Sequence, residues 1–154
     1  MFRSLAFSQP NPNAYPIEGA LYGATMAYPN LLADQLTTEL DLALRWGVQS
    51  WVLAEDLGED VIRQLSVALT DRECLYVVLI DGRMVLIPTQ VGAERTTHTM
   101  ASGGADVIAA GQVLFGEDGK VIRWDHMSGH YRPHERQAWE IADAIFTLVK
   151  LKPT

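Results

Sequence analysis

Hydrophobic positions in the first half of the chain recur at the spacing of amphipathic helices. Over residues 30–46, leucine returns at every fourth position and forms one apolar stripe of Leu32, Leu36, Leu40 and Leu44, beside Ala33 and Ala43. Gly47 follows where a helix C-terminal cap belongs. The spacing predicts a second helix over residues 59–69, with an inward face of Val61, Ile62, Leu65 and Leu69. Between the two helices, residues 48–54 form a short apolar stretch that is typical of a strand.

The second half of the chain places apolar runs on both sides of glycine-containing turns, which is the pattern of antiparallel hairpins. Residues 75–80 and 84–87 flank Asp81-Gly82-Arg83, and residues 107–115 and 120–124 flank a turn that begins at Gly116. A last helix is predicted over residues 133–150, beginning at Pro133 and burying Ile141, Ile145, Phe146 and Val149. This order favours an α+β fold, in which an antiparallel sheet of two hairpins packs against three helices.

Two segments carry no such periodicity. Residues 1–29 are rich in proline, asparagine and tyrosine, so we expect an extended arm packed on the body of a single globular domain spanning 1–154. Residues 88–106 form a long connection rich in threonine and glycine. Connections of this length inside a compact domain are usually functional or disordered.

Composition narrows the class of ligand. The 154 residues include 12 basic and 19 acidic side chains, which give a net charge of −7 and argue against duplex nucleic acid and anionic membranes as partners. The lone Cys74 excludes an internal disulfide framework and a cysteine-rich zinc site. Because no signal peptide core or membrane-length apolar run is visible, a cytoplasmic location is expected, while export without a cleavable signal stays open.

Ionisable residues concentrate around the second predicted hairpin. Three of the four histidines, His126, His130 and His134, fall close together, and His98 lies in the long connection. A turn centred on residues 117 and 118 puts Val107 opposite Ser128 in the ladder. The end of the long connection and residues 128–133 should therefore emerge at the same end of the sheet.

That end of the sheet would also hold the start of the last helix, where unpaired N–H groups and the helix dipole favour an anion. Arg132 can make a two-point contact with a phosphate, and glycine allows the backbone to approach it closely. The predicted ligand-binding residues are Arg132, Gly103, Gly104, Ser128, Gly129, His98 and Tyr131. His130 is the predicted general acid–base, Thr99 or Ser102 would position or accept a group, and Glu135 would support His130.

Structural explanations of the same residues remain open. The two glycines can form a simple loop, Glu135 can complement the helix dipole, and Ser128 and His130 can stiffen a turn. Gly129 and Pro133 make one helix through His126, His130 and His134 unfavourable, so we expect no metal site. No Gly-x-Ser-x-Gly elbow accompanies Ser102, and Cys74 at the edge of an apolar strand is expected to be buried and inert.

Residues 97–133, about a quarter of the chain, resemble a module of plant IQ-motif calmodulin-binding proteins and of uncharacterised bacterial proteins, some of them effector-like or toxin-like. The matching segments are Thr97-His98-Thr99-Met100-Ala101-Ser102-Gly103-Gly104, Ala109-Ala110-Gly111 and Ser128-Gly129-His130-Tyr131-Arg132-Pro133. The chain departs from the module where the family has His-Ser-Ser, although Thr99 keeps a hydroxyl. No IQ motif is visible, so calmodulin binding is not expected.

The module also resembles bacterial effector transferases that use a serine with a downstream histidine and acid on nucleotide substrates. That resemblance implies roles for Thr99 or Ser102, for His130 and for Glu135. The leading hypothesis is an enzyme-like domain, with no cofactor beyond a phosphate-bearing ligand such as a nucleotide. The alternative is a non-catalytic accessory or toxin-neutralising protein that binds a protein partner, in which residues 128–133 form a structural corner.

Overall fold

A computed structural model of the chain describes residues 10–19 and 21–153. In chain order, its strands are β1 (Tyr15–Pro16), β2 (Met26–Ala27), β3 (Trp51–Leu53), β4 (Glu73–Leu79), β5 (Met84–Pro88), β6 (Gln90–Val91), β7 (Glu94–Arg95), β8 (Val107–Phe115) and β9 (Val121–Trp124). The α-helices are α1 (Leu36–Trp46), α2 (Glu59–Leu69), α3 (His98–Ser102) and α4 (Glu135–Leu148). Short 3₁₀ turns cover Leu21–Gly23 and Ala33–Gln35.

The main sheet has five antiparallel strands in the order β3-β5-β4-β8-β9. The mixed α+β class and both predicted hairpins are confirmed: β4 pairs with β5, and β8 pairs with β9. The expected sheet of two hairpins on three helices is nevertheless too simple. The apolar stretch after α1 adds β3 at the edge, where Trp51 pairs with Leu86. The long connection is itself structured, since it contains the β6–β7 ribbon and a fourth helix, α3.

Helix α2 has the predicted bounds, whereas α1 and α4 are shorter than expected. Asn30 turns the chain ahead of α1 by accepting a hydrogen bond from the Leu32 N–H at 3.0 Å, so the α-helix begins only at Leu36. The start of α4 is delayed because His134 is extended and its ring accepts a hydrogen bond from the Arg136 N–H. This cap places the first helical residue at Glu135.

Two predicted inward faces are partly wrong. Leu44 is 83% exposed, and Val61 is 44% exposed. The face of α1 that contacts the body includes Glu39, which is buried. The leucine stripe therefore predicts the buried side of α1 only in part. The side of the helix that is buried also includes the polar residue Glu39.

The core lies mainly between α4 and one face of the sheet. The four α4-side residues predicted to be inside, Ile141, Ile145, Phe146 and Val149, are all buried, as predicted. Phe146 meets Phe115 edge to face, with ring centroids 6.4 Å apart. The opposite face carries a smaller apolar cluster around Val77 and Tyr131, beside which α3 packs against β4 and α1 against α3.

Part of the predicted arm contacts the body. The backbones of Tyr28 and Val107 exchange two hydrogen bonds, of 2.7 and 3.1 Å. The Asn11 amide donates to the carbonyl oxygens of Tyr131 and Pro29, at 2.6 and 3.0 Å. These contacts join the segment before α1 to β8 and to residues 128–133. Residues 1–9 of the predicted arm, with residues 20 and 154, lie outside the described residues.

The predicted register of the second hairpin is wrong by about two positions. Val113 pairs with Trp124, and the register shifts at an irregularity between Leu114 and Phe115. Val107 and Ser128 consequently do not pair. The ladder ends at Gln112 and Asp125, where the Asp125 carboxylate accepts hydrogen bonds from the N–H groups of Gln112 and Met127, both at 2.9 Å. Within the described ranges, no helix is both long enough and apolar enough to cross a bilayer.

Candidate functional site

A carboxylate–imidazole pair joins α1 to the corner before α4. Oε2 of Glu39 lies 2.6 Å from Nε2 of His130, and the two side chains are only 8% and 13% exposed. With the carboxylate ionised, Nε2 carries the hydrogen of this bond. The contact therefore fixes the orientation of the His130 ring and leaves Nδ1 as the ring atom that can exchange a proton with a ligand.

Two threonines complete the hydrogen bonding of Glu39. The Thr99 hydroxyl, fully buried at the start of α3, donates to Oε1 of Glu39 at 2.9 Å. The Thr97 hydroxyl lies 2.8 Å from that of Thr99. Because Thr99 has given its only hydroxyl hydrogen to Glu39, Thr97 is the donor in this second bond. Both oxygens of the buried carboxylate are thus occupied, which holds its position and that of His130.

His98 is a buried anchor next to this pair. Its Nε2 lies 2.8 Å from the Gly111 carbonyl oxygen, and because a carbonyl only accepts, Nε2 carries the hydrogen. Burial lowers the pKa of His98 to about 4, so the ring is neutral near pH 7. Position 111 has to be glycine, since a Cβ there would lie 2.0 Å from the Asp125 carbonyl oxygen.

A cleft of about 160 Å³ opens beside both histidines. Its polar lining also includes Thr96, Thr97, Ser128, Gly129 and Gln112. Two exposed charged side chains, Glu73 and Arg95, contribute to the same wall. The structure thus brings together the predicted residues His98, His130, Ser128 and Gly129 around one opening, with Thr99 behind it on Glu39. Arg132, the predicted anion ligand, does not line this cleft.

The remaining predicted residues on α3 and at the corner are packed into the structure. Tyr131 is fully buried, and its hydroxyl donates to the Ala105 carbonyl at 2.7 Å. The Ser102 hydroxyl therefore donates to the Tyr131 oxygen, also at 2.7 Å, and it accepts the Gly104 N–H at 3.0 Å. Burial raises the pKa of Tyr131 to about 12. Ser102 is thus committed to the joint between α3 and the corner, away from the Glu39–His130 pair.

The backbone of the corner, residues 128–133, is fixed by hydrogen bonds. The Arg132 N–H donates to the Ser128 carbonyl at 2.8 Å, and the Leu31 N–H donates to the His130 carbonyl at 2.7 Å. The Ser128 hydroxyl accepts the Tyr131 N–H at 3.3 Å. Arg132 adopts a φ of 42°, and its buried Nε has no hydrogen-bond partner among the described residues. These contacts make the corner a rigid support for the His130 side chain.

The two glycines of the predicted loop have conformational reasons to be glycine. Gly103 ends α3 in the left-handed region, with φ 66°. Gly104 has φ 87°, and a Cβ there would lie 2.6 Å from Cδ2 of Leu36 on α1. Gly104 thus lets α1 approach closely enough for Glu39 to reach His130.

The acid that contacts His130 is Glu39, whereas Glu135 lies exposed in the first turn of α4. The prediction of Glu135 as the supporting acid rested on its nearness in sequence. Glu39 is separated from His130 by 91 positions, so spacing could not identify it. The available signal was a carboxylate on the apolar side of α1, next to Leu36 and Leu40.

A larger cavity, of about 500 Å³, lies apart from this cluster at the first turn of α4. Its lining includes Tyr22, Tyr28, Met26 and Gln137. The Gln137 amide is already occupied, because it donates to the carbonyl oxygens of Met26 and Ile108. This cavity is roomier, but the smaller cleft is the one that adjoins the Glu39–His130 pair, so the smaller cleft is the better candidate for chemistry.

No metal-binding group of three or more histidine, cysteine, aspartate or glutamate side chains occurs in the described part of the chain. Comparison with protein-family models, with curated proteins and with solved structures finds no match to this chain.

Proposed function

We propose that the cleft beside His130 is the active site of an enzyme that acts on a phosphate-bearing small molecule, with a nucleotide as the leading ligand. The observation that carries this proposal is the 2.6 Å contact between Glu39, which is buried, and His130, which lines the cleft. A buried carboxylate that fixes one imidazole nitrogen and leaves the other for proton transfer is an arrangement suited to general acid–base chemistry.

In this reaction, the hydroxyl oxygen of the acceptor forms a bond to the phosphorus while the bond from the phosphorus to the leaving oxygen breaks. Nδ1 of His130 takes the proton of the attacking hydroxyl group and returns it to the leaving oxygen. Glu39 stabilises the imidazolium formed between these steps, because its carboxylate lies on Nε2. Thr99 keeps the carboxylate in place by its hydrogen bond to Oε1. The resemblance to effector transferases favours an acceptor other than water, so that the outcome is group transfer.

Arg95 is the cation best placed to hold the phosphate. It lines the cleft and makes no ion pair with the described residues, in contrast to arginines 45, 63, 83 and 136. A guanidinium can form two parallel hydrogen bonds with a phosphate. The cleft of about 160 Å³ is smaller than the roughly 300–1,000 Å³ typical of pockets for whole ligands, which favours a bound phosphate with the rest of the molecule outside.

The experiment is a turnover assay by phosphorus NMR on a panel of ribonucleotides and sugar phosphates, with alcohol acceptors present. His130→Asn should lower the rate by about 10²–10⁴-fold, as expected for loss of a general acid–base. His126→Asn is the matched control, because His126 lies four positions earlier and outside the cleft. Full activity in a folded His130→Asn variant would reject the assignment.

A second candidate function is a non-catalytic accessory or toxin-neutralising protein. It is favoured by the hydrogen bonding of the corner, where Ser128, Tyr131 and Ser102 all bond within the chain. In that case no member of the panel would bind or react, and His130→Asn would lower stability alone. Pull-down from a lysate with the native chain and with the His130→Asn variant would then recover the same protein partner.

A further inference from the structure

A second, smaller cleft adjoins the cleft at His130. Its volume is about 110 Å³, and its wall includes Leu114, Arg123, Trp124 and Asp125. The two clefts share Glu73 and Gln112. A ligand whose phosphate lies near His130 can therefore continue past these two side chains into the second opening.

Sheet register places the shared residues on one face. Glu73 pairs with Leu114, Leu75 pairs with Gln112, and Leu114 pairs in turn with Arg123. Directly paired residues of an antiparallel sheet point to the same side. Glu73 and Gln112 are thus diagonal neighbours on the face that carries the His130 cleft, with Arg123 two strands away from Glu73.

The chemistry of this shared wall differs from that of an anion site. Glu73 is exposed and in no ion pair with the described residues, so its carboxylate offers acceptors to a ligand. The Gln112 carboxamide offers two N–H donors and a carbonyl acceptor beside it. Asp125 is less available, because its Oδ1 already accepts two backbone N–H groups. A carboxylate next to a carboxamide suits a pair of neighbouring hydroxyl groups, and it repels a second phosphate.

We propose that Glu73 and Gln112 recognise the vicinal diol of a ribose, so that the ligand is a ribose phosphate or ribonucleotide and not its deoxy counterpart. This inference rests on the proposed phosphate site at Arg95 and His130. Glu73 accepts hydrogen bonds from both hydroxyl groups, and Gln112 bonds one of them from the neighbouring strand. The second cleft receives the part of the ligand beyond the sugar, against Arg123, whose side chain lies on the same face as Glu73.

The test is titration calorimetry of the native chain with ribose 5-phosphate, 2-deoxyribose 5-phosphate and inorganic phosphate. Ribose 5-phosphate should bind about tenfold more tightly than its deoxy analogue, which corresponds to one lost hydrogen bond to a charged group. Glu73→Ala should remove this difference. Glu94 is an exposed acid on β7 outside both clefts, so Glu94→Ala should preserve the difference in affinity. Arg95→Gln should lower the affinity for both sugar phosphates by the same factor.

The outcomes separate this inference from the proposed function. Equal affinities for the two sugars, or a ribose preference that survives Glu73→Ala, would overturn diol recognition and leave the phosphate site intact. Binding of inorganic phosphate, with no binding of either sugar phosphate, would also overturn diol recognition and leave the phosphate site intact. Absence of binding by all three probes would overturn the phosphate site, and diol recognition with it.

Discussion

Glu39 and His130 are 91 positions apart in the chain, yet Oε2 and Nε2 lie 2.6 Å from each other. The contact requires α1 to lie against α3, with Gly104 beneath Leu36, and it requires the rigid corner that ends in Pro133. The proposed chemistry of His130 depends on this one contact. Four predictions test the parts that support it.

Replacing Glu39 with glutamine should destabilise the protein. The amide keeps the shape of the side chain, but it replaces a buried, charge-assisted hydrogen bond to His130 with a weaker one. We expect the free energy of unfolding to fall by about 1–3 kcal/mol, measured by urea denaturation at pH 7. The matched control is Glu140→Gln. Glu140 forms an exposed ion pair with Arg136, so this substitution should change the free energy of unfolding by less than about 0.5 kcal/mol. Equal, small effects of both changes would contradict the structural role of Glu39.

Acidification should destabilise the fold through His98. Its pKa is about 4 in the folded chain and 6.5 in the unfolded one, so the unfolded chain binds more protons between these values. Stability contributed by the neutral ring is therefore present above pH 6.5, is lost as the pH falls towards 4, and changes no further below that. The loss amounts to about 3 kcal/mol over this window.

The check is urea denaturation at several pH values between 7 and 4. His98→Gln should flatten the pH dependence, because glutamine can donate to the Gly111 carbonyl but does not titrate. His126→Gln is the matched control for the exchange of a histidine for glutamine. A native slope that His98→Gln does not alter would show that the buried ring is not its source.

Removal of the Tyr131 hydroxyl should loosen the corner. Tyr131→Phe breaks the hydrogen bonds to the Ala105 carbonyl and from the Ser102 hydroxyl, both of which are partly buried. We expect a loss of about 1–3 kcal/mol in the free energy of unfolding. In a double-mutant cycle, Ser102→Ala should lower the free energy of unfolding by less in the Tyr131→Phe background than in the native chain. Tyr15→Phe, which removes an exposed hydroxyl bonded to Asp106, is the control and should be nearly neutral.

Alanine at position 104 should separate α1 from the cluster. The new methyl group would lie 2.6 Å from Leu36, and the backbone would be held at a φ of 87°. Gly103 also has a positive φ, but a Cβ at this position would meet no atom of a neighbouring segment within 4 Å. Gly103→Ala therefore measures the loss of stability that comes from the backbone conformation alone. We expect Gly104→Ala to be the more destabilising of the two and to reduce ligand affinity as well. Equal effects would indicate that close packing of α1 is unimportant.

Sequence patterns predicted those parts of the molecule in which local chemistry decides the structure. The Asp81-Gly82 turn, the glycine turn at Gly116 and the periodicity of α4 each depend on neighbouring residues, and the structure confirms all three elements. The bounds of α2 were predictable for the same reason.

The remaining features depend on contacts between distant segments. Strand β3 was only suggested by an apolar stretch, since its pairing with β5 is not encoded nearby. The hairpin register differs from the prediction by one position at the turn, where Phe115 pairs with Val121, and by one more beyond the irregularity at Leu114, which no residue type signals. Glu39 was missed because a glutamate among leucines usually marks a solvent-exposed edge of a helix, and only the position of His130 explains its burial.

The most direct test of the central claim is the state of the His130 ring, observed by nitrogen-15 NMR of the imidazole side chains at pH 7 with and without inorganic phosphate. We expect a hydrogen on Nε2 of His130 in the native chain and a phosphate-dependent shift of the Nδ1 resonance. We expect no such shift for His126, and a weaker one for His130 in the Glu39→Gln variant. A His130 ring that carries its hydrogen on Nδ1 alone, or that does not respond to phosphate, would contradict the proposed role of this residue as the general acid–base.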